Sequence, residues 1–387
     1  MSSPRLLLII AYIAFISLGL PDAVIGVAWP SVRDHFGLGQ GTVGLIFIGS
    51  GIGYFFSSSS TGRLLGLIGI GTLLAGSSAL VAVSAFGYSL APMWWAFAAC
   101  SLLHGVGSGA IDAGLNNYAA HHFSAKHMSW LHACYSIGAT LGPLLMTTVL
   151  VQSGSWRMGY ATIGTILLSL AALFLITRRH FGGPAREGEA HHAASGGMFS
   201  ALAHPVARLQ IAMFFVYTGV EVAVGQWSFT VLTESRGMPT ASAGLWVTAY
   251  WASIAVGRVL FGFVIEPIGV DRLLRGVMVL ALIGGALFVM PGAGTFSLIG
   301  LVLIGLALAP VFPCMMSRTP QRLGPAVAPH AIGFQVAAAM IGAALLPALC
   351  GMLASRVSLE SIPVAVLCMA AALFLLHELL LKHPDAA

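Results

Sequence analysis

The sequence predicts an all-α membrane protein with twelve transmembrane helices in two pseudo-symmetric halves of six, and three observations lead there. Only 7% of its 387 residues are charged while 58% are hydrophobic, whereas a soluble domain averages about 25% charged residues. So little charge cannot cover a water-facing surface, and lipid must be the solvent. The apolar residues also gather in runs that reach the roughly 20 residues a helix needs to cross a bilayer. These runs are apolar all round, which excludes an outer-membrane barrel with its alternating strands. The third observation is an internal repeat in the second half of the chain.

Taken in order, the runs place spans at 6–30, 41–62, 66–86, 93–119, 128–151, 157–177, 209–232, 241–264, 272–290, 296–317, 329–354 and 360–381. The first run exceeds the roughly 7–15 apolar residues of a signal peptide and is expected to be retained as a helix. Within it Pro21 interrupts the backbone ladder beside Asp22. The second span carries Gly49, Gly53 and Ser57 one turn apart, and the fourth carries Gly105, Gly109 and Ala113 in the same spacing. Small residues so placed let helices approach closely in lipid. Connections are short, which makes successive spans antiparallel. The exception is 178–208, a charged stretch with Arg178, Arg179, Arg186, Glu187 and Glu189. It divides an N-terminal half, 1–177, from a C-terminal half, 209–387.

Lys and Arg set the orientation, because cytoplasmic loops are enriched in them. With both termini in the cytoplasm, thirteen of the 17 Lys and Arg lie inside; Arg33, Arg157, Arg236 and Arg356 lie outside. This is the pattern of a multi-pass protein of a bacterial inner membrane. The net charge of +5 then belongs to cytoplasmic loops, and no nucleic-acid partner is expected. Cys100, Cys134, Cys314, Cys350 and Cys368 all fall within apolar runs, without metal-ligand spacing. They read as small core residues, and no metal is expected. No nucleotide loop or hydrolytic triad is visible, so the chain is not read as an enzyme. The expected partners are the bilayer and a small-molecule substrate, with the chain acting as a monomer.

The repeat has three parts. Gly62-Arg63-Leu64-Leu65 at the end of the second span recurs as Gly257-Arg258-Val259-Leu260 at the end of the eighth. Ile137-Gly138-Ala139 with Pro143 in the fifth recurs as Ile341-Gly342-Ala343 with Pro347 in the eleventh. Asp22 and Gly26 in the first span match Glu221 and Gly225 in the seventh.

Of the twelve acidic residues, Asp22, Asp112 and Glu221 fall within spans. Each costs at least about 2.5–3.5 kcal/mol at bilayer depth, so a functional reading is the default. Arg63 and Arg258 are placed at the ends of their helices, and no cation inside a span is expected to pair with these acids. A buried carboxyl of this kind either carries a proton or ligates Na⁺; no other cofactor is expected. The neighbours suggest a wet cavity. Asn116 lies one turn from Asp112, followed by Asn117; His132 and Tyr135 share a face of the fifth span. Tyr217 precedes Glu221 by one turn, with Gln226 and Trp227 close by, and Tyr250 and Gln335 lie on the eighth and eleventh spans. Amides and hydroxyls bond ring hydroxyls, and aromatic faces stack on sugars.

At these residues the sequence resembles the major facilitator superfamily, and within it the fucose–proton symporter branch and its sodium-glucose-transporter-like relatives. The segments that carry the resemblance are Gly109–Asn117, His132–Pro143 and Tyr217–Trp227. The resemblance implies two six-helix halves rocking about a midplane site, with a helix-1 Asp and a helix-4 acid, followed by Asn four residues on, serving proton coupling and sugar binding. Asp22, Asp112 and Asn116 are the matching positions. The chain departs from the superfamily in the loop after the second span, where Gly62-Arg63-Leu64-Leu65-Gly66 lacks the usual Asp and basic run. It carries Asp112 where the fucose symporters use Glu. Two functions stand open: proton- or sodium-coupled symport of a sugar or similar solute, and proton-driven export of drugs or metabolites. Gly138-x3-Gly142-Pro143 resembles the antiporter signature and supports the second.

Overall fold

The structure, a computed structural model, describes residues 4–123, 125–181, 200–292 and 294–383. No strand occurs among the described residues. Ten helical stretches are long and apolar enough to cross a membrane. One of them, Gln40–Leu90, is two spans joined at Gly69, whose φ of 71° and ψ of 161° break the helix. A further helix, Trp94–His122, is long enough to cross but is made more polar by His104, Asp112, Asn116 and Asn117. We therefore number twelve: α1 Leu6–Phe36, α2 44–69, α3 70–90, α4 Trp94–His122, α5 Ala125–Ser153, α6 Trp156–Thr177, α7 Pro205–Ser235, α8 Thr240–Ile268, α9 Val270–Val289, α10 Thr295–Gly324, α11 325–356 and α12 Ser361–Leu380.

Helix ends differ from the sequence expectation where a single glycine decides the turn. Span 2 was expected to stop at 62, yet α2 runs on to Gly69 with Arg63 exposed on its surface. The chain turns where a residue can take positive φ, and Gly69 does so without a Cβ penalty. Gly269 does the same between α8 and α9, with φ 84° and ψ 144°. Of the expected linker, 182–199 lies outside the described residues; the rest includes a helical turn at Ser200–Ala203, after which α7 begins at Pro205. The chain falls into two compact units, Met1–Ala190 and His191–Ala387.

Each unit is held by close approach of backbones. A Cβ on Gly138 of α5 would collide with the Ile16 carbonyl of α1, and a Cβ on Gly342 of α11 with the Phe215 carbonyl of α7. Ile16 lies six residues before Asp22, and Phe215 six before Glu221. The repeat in the sequence is thus one helix-pair contact built twice in the same register. A second contact is doubled as well. Gly109 of α4 sits against Tyr54 and Ser57 of α2, and Gly305 of α10 sits against Tyr250 and Ser253 of α8. The expected Gly49/Gly53 and Gly105/Gly109 stripes do face each other: Gly53 lies on the Leu102 carbonyl and Gly105 on that of Ser50.

Each unit is closed at one end by an arginine. Arg157 donates to the carbonyls of Ser89 (2.7 Å) and Ala91 (2.8 Å) and lies over the Trp156 ring. Around it Phe97 packs among Trp94, Trp156, Tyr88 and Tyr160. In the other unit Arg236 grips Glu360 with two bonds, Nε to Oε1 at 2.9 Å and Nη2 to Oε2 at 2.7 Å, and caps the Phe288 carbonyl at 2.9 Å. These bonds hold the Glu360 carboxyl below its ordinary range.

Three outcomes are expected from thermal unfolding of the purified protein. Gly138→Ala and Gly342→Ala destabilise it. Gly66→Ala, at an exposed site with nothing within 4 Å, stabilises it by up to about 1 kcal/mol, the usual helical preference of alanine over glycine. Glu360→Gln lowers stability at neutral pH. Because the folded-state carboxyl is depressed, the wild-type advantage is full above the ordinary glutamate range of about 4.3. It shrinks as pH falls through the depressed value, so melting curves of the two proteins converge in acid.

Candidate functional site

In the N-terminal unit the site is organised along one face of α4. His104, Ser108, Asp112 and Asn116 follow one another at four-residue spacing, which places them on one stripe. Asn116 Nδ2 donates to Asp112 Oδ1 at 2.9 Å, and the Tyr54 hydroxyl of α2 donates to Asp112 Oδ2. Two stripe positions from Asp112, His104 Nε2 lies 2.9 Å from Oδ1 of Asp22. Oδ2 of Asp22 accepts from the Tyr135 hydroxyl of α5, also at 2.9 Å. Asp22 is where α1 breaks: Pro21 has no N–H for the carbonyl four residues back, and helix resumes only at Val24. Four helices therefore converge on two carboxylates. Hydrogen bonds to ionised groups are the strong ones, and they offset the desolvation that a buried carboxylate otherwise suffers.

The C-terminal unit builds a different arrangement from the matching helices. Glu221 of α7 accepts from the Tyr217 hydroxyl one turn below. Its Oε1 lies 3.8 Å from Nη2 of Arg258, with the two side chains only 10% and 12% exposed. This corrects the expectation that no cation is available within a span. α8 runs to Ile268, so Arg258 stands well inside its helix and reaches back to Glu221. The Tyr250 hydroxyl donates to the Glu221 backbone carbonyl at 2.9 Å, tying α8 to α7 at the same level.

The remaining candidates divide. Gln226 is 3% exposed, and among the described residues neither end of its amide has a hydrogen-bond partner. Such a group costs about 1–3 kcal/mol. Thr230, one turn on, and the indole nitrogen of Trp251, which packs on Gly225, are buried without partners too. Gln335 is committed elsewhere: its amide donates to Thr319 (3.1 Å) and Gln210 (3.3 Å) in a fully buried junction of α11, α10 and α7. Trp227 is likewise spent on a helix junction, donating to the Pro347 carbonyl at 2.9 Å. His132 packs edge-on against Phe15, and Asn117 faces outward, exposed, off the α4 stripe.

Three participants escaped the sequence reading: His104, Tyr54 and Arg258. His104 had a legible signal, since it stands eight residues before Asp112 and hence two turns along the same face. Arg258 was noticed as part of the repeat but assigned to a helix end. Tyr54 had no signal beyond lying within the glycine-bearing helix that α4 packs on.

The Major Facilitator Superfamily profile matches residues 11–335 and 213–387. The chain belongs to the major facilitator superfamily. Among relatives of this facilitator, Bypass of stop codon protein 6 of Saccharomyces cerevisiae is 25% identical over 395 residues, 93% of this chain and 79% of that protein. Sodium-dependent glucose transporter 1A of Mus musculus is 22% identical over 66% of this chain and 69% of its own length. Glucose/mannose transporter GlcP of Bacillus subtilis is 25% identical over 62% and 60%. Among solved structures, the nucleoside transporter NupG superposes with a TM-score of 0.74 at 16% identity, covering 99% of this chain and 100% of that one. The E. coli fucose:proton symporter FucP gives 0.67 at 16%, covering 98% and 99%. At these identities the structural likeness establishes the fold.

The Glu221–Arg258 pair yields a direct test. Removing one partner of a buried ion pair strands the other's charge, at a cost of about 3–5 kcal/mol. Glu221→Gln and Arg258→Gln are each expected to destabilise the purified protein strongly, and the double variant by much less than their sum. Additive losses in thermal unfolding would show the pair to be uncoupled.

Proposed function

We propose that this facilitator is a secondary transporter that couples uptake of a sugar, or a similar small polar solute, to proton flow by alternating access. The observation that carries the coupling is the set of groups around Asp22 and Asp112: a tyrosine and an imidazole on one, a tyrosine and an amide N–H on the other. Such surroundings suit a carboxylate whose charge is switched by a proton. A hard cation instead needs several oxygen ligands turned toward it, and these donors would first have to be displaced. Proton coupling is therefore favoured over sodium coupling, although relatives carry sodium-dependent names.

The sugar reading is supported by Gln226 and its surroundings. An amide presents a donor and an acceptor side by side, which matches adjacent hydroxyls of a ring. Relatives named as glucose, glucose/mannose and fucose transporters point to the same class. The exporter alternative rested on Gly138 and Gly142. Both sit against backbone carbonyls of α1, and Gly342 repeats the contact on α7, so these glycines are accounted for by helix packing. The distribution of Lys and Arg supports both termini lying in the cytoplasm of a bacterial inner membrane.

The test is uptake by proteoliposomes from a panel of monosaccharides and lipophilic cations, with pH and Na⁺ gradients imposed separately. A monosaccharide should accumulate under an inward-directed proton gradient alone. Asp112→Asn should abolish accumulation while exchange persists in part, because an amide mimics the protonated carboxyl but releases no proton. Gln226→Leu should weaken sugar binding roughly 5- to 150-fold, from about 1–3 kcal/mol at 1.4 kcal/mol per decade, while the ligand-free protein melts no lower. Accumulation driven only by Na⁺, or transport of lipophilic cations alone, would overturn the reading.

A further inference from the structure

We propose that the proton held in the N-terminal unit binds at Nδ1 of His104, with Asp22 as its fixed counter-charge, so that the two side chains form one protonation unit. The proposal rests on the proton-coupled reading for its use in transport and moves the proton from the carboxyl, where the family resemblance puts it, to the neighbouring ring.

The bonding of Asp22 leads to this assignment. Its Oδ2 accepts from Tyr135 and its Oδ1 faces Nε2 of His104, each at 2.9 Å. An ionised carboxylate only accepts, so Nε2 carries the ring hydrogen. In a neutral imidazole the other nitrogen, Nδ1, is then the one with a free lone pair. Among the described residues Nδ1 has no hydrogen-bond partner. A proton placed on Asp22 takes a lone pair of an oxygen that already accepts a bond, and by removing the carboxylate's charge it weakens both existing bonds. A proton placed on Nδ1 displaces nothing: the ring keeps its Nε2–H bond and becomes an imidazolium 2.9 Å from a carboxylate. The bookkeeping is simple. One proton adds to the Nδ1 lone pair, the ring passes from neutral to +1, and the unit passes from −1 to 0; unloading reverses this at the same atom.

The surroundings fit. The titratable groups facing the unit are Tyr135 from α5, Tyr54 from α2, Asp112 from α4 and, through a weaker interaction with Asp22, Tyr88 from α3; Asp112 has donors of its own. Ser108 stands on the stripe between His104 and Asp112, its hydroxyl buried and without a partner. A polar step thus separates the ring from the second acid.

The experiment needs no substrate, so its result is independent of whether the solute is a sugar. Protein labelled with ¹⁵N in the histidine rings, in lipid nanodiscs, is titrated with acid and followed by NMR. The His104 signals are assigned by their loss in His104→Gln. In wild type, His104 is expected to begin as the Nε2–H tautomer and convert to the doubly protonated ring. In Asp22→Asn, which keeps a polar group of the same size, that conversion should disappear from the wild-type range or move to more acid pH. A starting Nδ1–H tautomer, a ring that stays neutral throughout, or an unchanged conversion in Asp22→Asn would each overturn the proposal. If His104→Gln does not fold, comparing the thirteen ring signals of wild type with those of Asp22→Asn still decides the matter. One ring should change its titration in Asp22→Asn; none doing so would overturn the assignment.

Discussion

A carboxylate inside a helical bundle keeps its charge only where donors or a cation replace the water it has lost, and this constraint organises both halves of the protein. In the N-terminal half the replacement is made by tyrosine, amide and imidazole groups from α2, α4 and α5. In the C-terminal half it is made by a guanidinium. The same fold, repeated, has solved one electrostatic problem in two ways. In the first no arginine is paired with the acids among the described residues; in the second Arg258 stands 3.8 Å from the acid.

The glycines make either solution possible. Side chains from neighbouring helices meet at about 2.9 Å only if the helix axes are close, and Gly138, Gly109, Gly342 and Gly305 each remove the Cβ that would keep them apart. The register of these contacts places Asp22 and Glu221 at equal offsets from their packing points. That is why an acid in α1 has an acid as its counterpart in α7. The symmetry is structural and does not extend to chemistry: Arg258 reaches the acid of its unit, while Arg63 lies exposed at a helix surface.

Much of this was legible in the sequence, and the reasons for the remainder are physical. Spans, the repeat and the three intramembrane acids follow from hydropathy and from the cost of burying charge, which single residues reveal. The partners of those acids are set by helix rotation and depth, and these emerge only when helices pack. Tyr135 was recovered because it shares a face with His132 in a segment already under suspicion. His104 was passed over because a histidine in an apolar run reads as an ordinary core residue until Asp22 is seen beside it. Gln335 looked like Gln226 in the sequence, as a lone amide in a span. In the folded chain one is saturated by Thr319 and Gln210, and the other has nothing to bond.

The closed pair of Glu221 with Arg258 also bears on how the protein responds to voltage. An electric field across a membrane does work only on net charge, at about 2.3 kcal/mol per elementary charge per 100 mV. A glutamate and an arginine 3.8 Å apart carry none between them, so the field exerts almost no net force on the pair. Asp22 and Asp112 are held instead by tyrosine, imidazole and amide groups, with no arginine paired to either among the described residues. The membrane potential can therefore act on the Glu221–Arg258 pair only through its small dipole, at whatever depth the pair sits.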